Sequence, residues 1–164
     1  MNKGIVILLT GSHADLFASL RAMGLAKRTG GEVHVLLGPP AAAKEMDGEI
    51  RDLFRAGEET RHFQKTVAWL AETEGVEIRC HLLEDEDWED KLLAFLKDHL
   101  AFCLVIGASG QSALKRLSRW AAELRRKLLA DRHWYADSFW TLVTDSWDDE
   151  KFEQALRHIN FRGS

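Results

Sequence analysis

The chain is predicted to be an α/β protein, a parallel sheet with helices on both faces. Three observations lead there. Short apolar, β-branched-rich runs alternate with segments of helical period from Ile5 to Val143. The first of those runs is continuous rather than alternating, as a strand covered on both faces requires. Glycine or proline stands at the junctions Gly11, Gly30-Gly31, Gly38-Pro39-Pro40 and Gly75, where a helix or strand must stop.

The elements follow in order. Ile5 to Leu9 is the first strand, and Thr10-Gly11-Ser12 turns the chain. Ser12 with Asp15 three residues on resembles a capping box at the start of a helix. Leu16, Leu20 and Met23, flanked by Phe17 and Ala26, give that helix its apolar face. Val33 to Leu37 is the second strand. Ala41 to Gly48 is a polar loop, and from about Glu49 a helical period runs through Ile50, Leu53, Phe54, Phe63, Val67 and Leu70 to Gly75. Val76 to Leu83 is the third strand. "EDEDWED", Glu84 to Asp90, opens a helix that turns Leu92, Leu93, Phe95 and Leu96 inward. Phe102 to Ile106 is the fourth strand, and Leu114, Leu117, Ala121, Leu124 and Leu128 mark the fourth helix. Phe139 to Val143 is the fifth strand. Phe152, Leu156 and Ile159 outline a short C-terminal helix. Residues 1–145 form one domain and 146–164 a helical tail.

Composition bounds the function. The 164 residues are 46% apolar and 29% charged, enough for one domain with a real core. A formal net charge of -4 is not that of a nucleic-acid binder, which relies on clustered positive charge. No apolar run approaches the roughly 20 residues of a membrane span. "MNKGIVILLTG" reads as a strand, not a signal peptide. Cys80 and Cys103 form no C-x-x-C pair and read as buried thiols of a reducing compartment. The expected location is the cytoplasm.

"LVIGASGQSALKRLSRW", Leu104 to Trp120, carries the strongest functional signal. A buried strand ends in Gly107-x-x-Gly110 and passes directly into a basic helix. Backbone N–H groups and the helix dipole at such a turn can hold an anion. Ser109 and Ser112 add hydroxyls, and Lys115, Arg116 and Arg119 add charge. The P-loop lysine and the G-x-G-x-x-G fingerprint are both absent. Sharp strand-to-helix turns also use glycine for bending alone.

The chain resembles the universal stress protein family. The likeness rests on "GIVILLTGSHADLFASLRAMGLAKRTGGEVHVLLG", on "GVEIRCHLLEDEDWEDKLLAFLKDHLAFCLVIGASGQSALKRL" and on "FWTLVTD", covering about Lys3 to Asp145. The resemblance implies a three-layer, Rossmann-like α/β/α fold of the adenine nucleotide alpha hydrolase-like type. Its five-stranded parallel sheet has the order 3-2-1-4-5. Thr10-Gly11-Ser12 and Gly107 to Gly110 would then face each other at the switch point between strands one and four. The resemblance also implies a homodimer through the fifth strand, Phe139–Val143.

Two departures from the family pattern fall on that crevice. The ATP-binding branch has Gly-x-x-Gly, nine residues, then Gly-Ser or Gly-Thr. Here Trp120-Ala121 stands at that place, and no glycine occurs between Gly110 and Gly163. The same branch usually ends strand one with aspartate, where this chain has Thr10. The expected nucleotide or anion contacts reduce to Thr10, Gly107, Ser109 and Gly110, and Trp120 is expected to pack where the triphosphate lay.

Other features have plain readings. Adjacent carboxylates in "EDEDWED" cannot converge on one ion and suit a helix N-terminus, so no metal site is expected. Cys80 and His81 point to opposite faces of a strand. His13 follows the switch-point turn and is expected to be an exposed residue of the first helical turn. No catalytic set can be assembled. "RHWYADSFW", Arg132 to Trp140, is either a core-packed connection or, beside an edge strand, an interface. Arg125, Arg126 and Lys127 read as the solvated side of the fourth helix. The expectation is therefore a non-enzymatic cytoplasmic homodimer of stress-protein type, acting through unknown protein partners and without nucleic acid, membrane, cofactor or ATP dependence. A nucleotide (ATP or AMP) or anion-binding module is the alternative. A hydrolase of the wider nucleotide group ranks last, because "TGSHAD" lacks the Ser-Gly-Gly phosphate loop of the pyrophosphatases.

Overall fold

The computed structural model describes residues 4–38, 53–54, 58–83, 87–130 and 139–144. The loop expected at Ala41 to Gly48, the acidic residues 84–86, most of the aromatic stretch 132–138 and the tail 146–164 with its helix lie outside them.

Within the described residues five strands and four helices alternate. They are β1 (Gly4–Leu8), α1 (Ala14–Thr29), β2 (Glu32–Leu36), α2 (Glu58–Glu74), β3 (Ile78–His81), α3 (Trp88–Asp98), β4 (Ala101–Gly107), α4 (Gln111–Leu129) and β5 (Trp140–Thr144). The sheet order is β3-β2-β1-β4-β5 and every pairing is parallel. β1 is central, with Ile5 opposite Val33 of β2 and Cys103 of β4.

Period-two side-chain alternation splits the core into two layers. Ile5, Ile7, Val33, Val35, Cys103 and Val105 face α1 and α2, against Leu16, Met23, Val67 and Leu70. Val6, Leu8, Leu36, Leu104 and Ile106 face α3 and α4, against Trp88, Leu92, Leu96, Leu117, Trp120 and Leu124. Ile5 to Leu8 are wholly buried, each such side chain worth about 1.5–3 kcal/mol of transfer free energy. That double covering is why β1 and β4 read as unbroken apolar runs.

Three expectations change. α2 begins at Glu58, so Leu53 and Phe54 are not part of that helix. Their apolar spacing continues its period, but Phe54 leaves the helical path to pack on Trp88 and Trp120. β3 is only Ile78–His81, because Gly75 turns at φ +71 and Val76 is tied back to Ala71. Cys80 is exposed, not buried, on a strand at the end of the sheet order. Cys103 is buried on β4, and burial pushes its thiol up to about 12, leaving it inert as a nucleophile.

Candidate functional site at the switch point

Right-handed crossovers on both faces force a reversal of winding between β1 and β4, and ligands of such sheets sit beyond the strand ends there. β1 ends with Leu9 N–H donating to Leu36 O at 2.9 Å. The chain then turns at Gly11, φ +86, into α1. The turn is organised around a carboxylate. Asp15, wholly buried, accepts from Thr10 N–H at 2.8 Å and the Thr10 hydroxyl at 3.0 Å through Oδ1. Its Oδ2 accepts from Gly11 N–H at 2.8 Å. The Thr10 hydroxyl has one proton and gives it to Asp15, so the Ser12 hydroxyl, 3.0 Å away, donates to Thr10. Burial lifts the Asp15 carboxyl to about 6, and the donors from Thr10, Gly11 and Ser12 oppose that rise.

The capping box expected at Ser12 is therefore replaced. Asp15 reaches past Ser12 to the backbone of Thr10 and Gly11, and the Ser12 carbonyl, not its hydroxyl, accepts from Asp15 N–H. The spacing that suggested a cap was the visible trace of Asp15. Its burial was not visible, because it depends on a strand far off in sequence. Where the nucleotide-binding pattern has a carboxylate at the end of strand one, this chain has Thr10 with a carboxylate brought to it from α1.

At the end of β4, Gly107 answers a packing demand. A Cβ there would lie 2.0 Å from the Ala14 carbonyl oxygen and 2.4 Å from its carbon. Only glycine lets the first turn of α1 settle against the strand. Ala108 N–H then ties the loop to Thr144 O of β5 at 2.8 Å. Ser109, Gly110 and Ser112 are exposed, Gly110 at φ +98, and no side-chain hydrogen bond caps α4 at that residue. Of the four expected contact residues, Thr10 is turned into the Asp15 network and Gly107 lies against α1. Ser109 and Gly110 face solvent. Lys115 and Arg119 are exposed on α4, and Arg116 is half-buried.

Trp120 is buried, 5% exposed, with its indole stacked on Trp88 of α3 at a centroid distance of 6.3 Å. Phe54 lies 6.2 Å from each indole. Phe54 also touches the end of β2, since a Cβ on Gly38 would be 2.8 Å from its ring and 2.9 Å from Leu9 O. The three aromatics thus run from α4 and α3 to the ends of β1 and β2. Neither indole N–H has a hydrogen-bond partner among the described residues. Ala121, beside Trp120, is wholly buried. Trp88 and Phe54 were not singled out from sequence. One hides in an acidic run and the other in an apparent helix.

The remaining expectations sort simply. His13 is exposed, its ring edge-on to Phe63 of α2 at 5.6 Å. Arg125 is not merely solvated, because its Nε donates to Phe139 O at 3.0 Å and ties α4 to the start of β5. Arg126 pairs with Glu123, and Lys127 with Glu89 of α3. Among the described residues no group of three or more His, Cys, Asp or Glu is arranged to hold a metal ion. A groove of about 320 Å³ lies at the opposite ends of the strands, beside Lys27, Gly31, Glu32, Val76 and Arg79, away from the switch point.

Sheet order, helices on both faces and the turn at the β1–β4 switch point define a doubly wound, Rossmann-like α/β protein. The family model "Universal stress protein family" matches residues 1–127, and the chain belongs to that family. Solved structures agree in fold. A protein of the universal stress protein family from Burkholderia pseudomallei is 21% identical with a TM-score of 0.54, over 88% of this chain and 96% of that one. The universal stress protein from Archaeoglobus fulgidus, in complex with dAMP, is 16% identical with a TM-score of 0.52, over 87% and 97%. A universal stress protein in complex with cAMP is 16% identical with a TM-score of 0.50, over 88% and 97%. The comparison with curated proteins found no match.

Proposed function

We propose that this protein is a cytoplasmic, non-enzymatic homodimer that acts in the stress response through protein contacts and without ATP. The observation that carries this reading is the Phe54–Trp88–Trp120 cluster. Where the ATP-binding pattern needs a glycine for close approach of phosphates, an indole is packed against two other rings. The donors after β1 offer no substitute, because Thr10 and Gly11 N–H are already held by Asp15. Among the described residues no helix is long and apolar enough to cross a membrane, which accords with this reading. Calorimetric titration of the nucleotide-stripped protein with Mg-ATP should give no saturable heat up to millimolar ligand. Micromolar binding would sink the proposal.

The dimer is assigned to the β5 edge, which closes the sheet order beside β4 and carries the half-buried Thr141, Leu142 and Val143. Among the described residues no strand pairs with the outer side of β5, and such an edge is a template for a second copy. Sedimentation equilibrium at micromolar protein should return twice the mass of the chain, and a monomer there would reject the assignment.

A second reading rests on a different observation. Ser109 and Gly110 are exposed at an α4 N-terminus without a side-chain cap, and relatives of similar fold have been seen with dAMP and cAMP. On that reading the loop Gly107–Gly110 holds AMP, ATP or another anion. Slowed exchange of the Ser109 and Gly110 amides on adding AMP would favour it over the first.

A further inference from the structure

On the sheet face under α3 and α4, three imidazoles meet near β3. His34, in the middle of β2, is wholly buried, and its Nδ1 lies 3.0 Å from Nε2 of His81, the last residue of β3. His99, just beyond α3, has its ring centroid 4.4 Å from His34 and 5.7 Å from His81. Phe95 of α3 closes the cluster, 5.6, 4.7 and 4.1 Å from the three rings. Glu32, on the same strand and mostly exposed, places its carboxylate 3.4 Å from His34 Nε2, which makes no hydrogen bond among the described residues. Arg79 stands opposite His34 in the β2–β3 register. The β1 register partner of His34 is apolar Val6.

We propose that the His34–His81–His99 cluster is an acid-sensitive latch, which holds edge strand β3 and the end of α3 to β2 at neutral pH and loosens them on mild acidification. The bond between His34 and His81 uses one N–H and one lone pair. A single proton added to the pair is compatible with that bond. A second makes both facing nitrogens donors and breaks it. Even the first proton places a cation on a partly buried cluster, beside Arg79 and a third imidazole, with the exposed Glu32 to offset it.

Burial first, then His99 and His81, lowers the pKa of His34, and Glu32 opposes them. Burial first, then His99 and Arg79, lowers that of His81. The sign follows directly. Both folded values lie below that of the unfolded chain, so the unfolded chain binds more protons. The contribution is complete above about pH 6.5 and is lost as pH falls below it. β3 yields because it is four residues long, ends the sheet order and has Arg79 and Cys80 exposed.

Urea unfolding of the full chain and of the double variant His34→Leu/His81→Leu, each near pH 7 and pH 5, tests this. Asp15 titrates in the same window with the opposite sign, but both proteins keep it, so it cancels. If the pair takes at most one proton, the wild-type unfolding constant should rise at least about 25-fold more than the variant's between those pH values. Protection factors of the Ile78–His81 amides, taken relative to the slower intrinsic exchange in acid, should fall over the same range in the wild type alone. A pH-independent gap between the two proteins overturns the latch. Should the variant not fold, ring-proton NMR of the wild type decides. Both rings titrating near 6.5 refutes the proposal, and either ring remaining neutral at pH 5 supports it.

Discussion

Gly107→Ala should cost more than about 4 kcal/mol, enough to unfold a typical domain of this size or leave it marginal. The added methyl would meet the Ala14 carbonyl at 2.0 Å, inside any van der Waals contact, and the obstacle is backbone that cannot rotate away. Either α1 lifts from β4 or the β4 end moves. The first exposes Leu16 and uncovers Asp15, and the second breaks the Ala108–Thr144 bond to β5. Urea denaturation followed by tryptophan emission measures the loss. A glycine kept for phosphate approach would behave otherwise, losing ligand affinity with stability intact. A loss below about 1 kcal/mol would therefore return Gly107 to the phosphate reading, against the geometry.

Gly107 also shows what the sequence could carry and what it could not. β1 and β4 are legible because helices cover both faces of each, so apolar runs persist without alternation. The order β3-β2-β1-β4-β5 came from family likeness rather than from periodicity, since no local pattern encodes which strands are neighbours. Errors fell where a side chain obeys a distant partner. Phe54 keeps the helical spacing of α2 yet leaves that helix to meet Trp88 and Trp120. Asp15 has the spacing of a cap, and becomes buried only because a glycine on another strand lets α1 down onto the sheet. Cys80 looked like a core thiol and is exposed because β3 ends the sheet order. The departure at Trp120 was visible from motif counting. That the indole would find two aromatic partners was not, because neither partner lies in the motif.

Asp15→Ala should be the other large effect, about 3–5 kcal/mol. It leaves Thr10 N–H, Gly11 N–H and the Thr10 hydroxyl without their acceptor, and the two amides lie in buried turn residues. Each buried donor left unpaired costs about 1–3 kcal/mol, less what water recovers by entering the vacated space. Asp15→Asn keeps the volume and the oxygen facing Thr10, but turns an amide NH2 toward the Gly11 N–H, two donors face to face. Its loss should be smaller, about 1–2 kcal/mol, and its pH dependence different. In the wild type the folded carboxyl sits at about 6 against 3.8 in the unfolded chain, so the folded protein binds the proton more readily. That contribution is complete below the unfolded value and is lost as pH rises through 6. Relative to Asp15→Asn, the wild type should therefore gain about 1.3 kcal/mol on going from pH 7 to pH 5. An unchanged gap between the two would mean the hydrogen bonds at least offset burial, so that the carboxyl titrates at or below its ordinary range. A gap that turns the other way on going on below about pH 4 would mean those bonds hold the ionised form below its ordinary range, making the turn after β1 a tight anion nest already filled from within. Either result bears on the crevice, because a turn that holds Asp15 as an anion leaves Thr10 and Gly11 no donors for a phosphate.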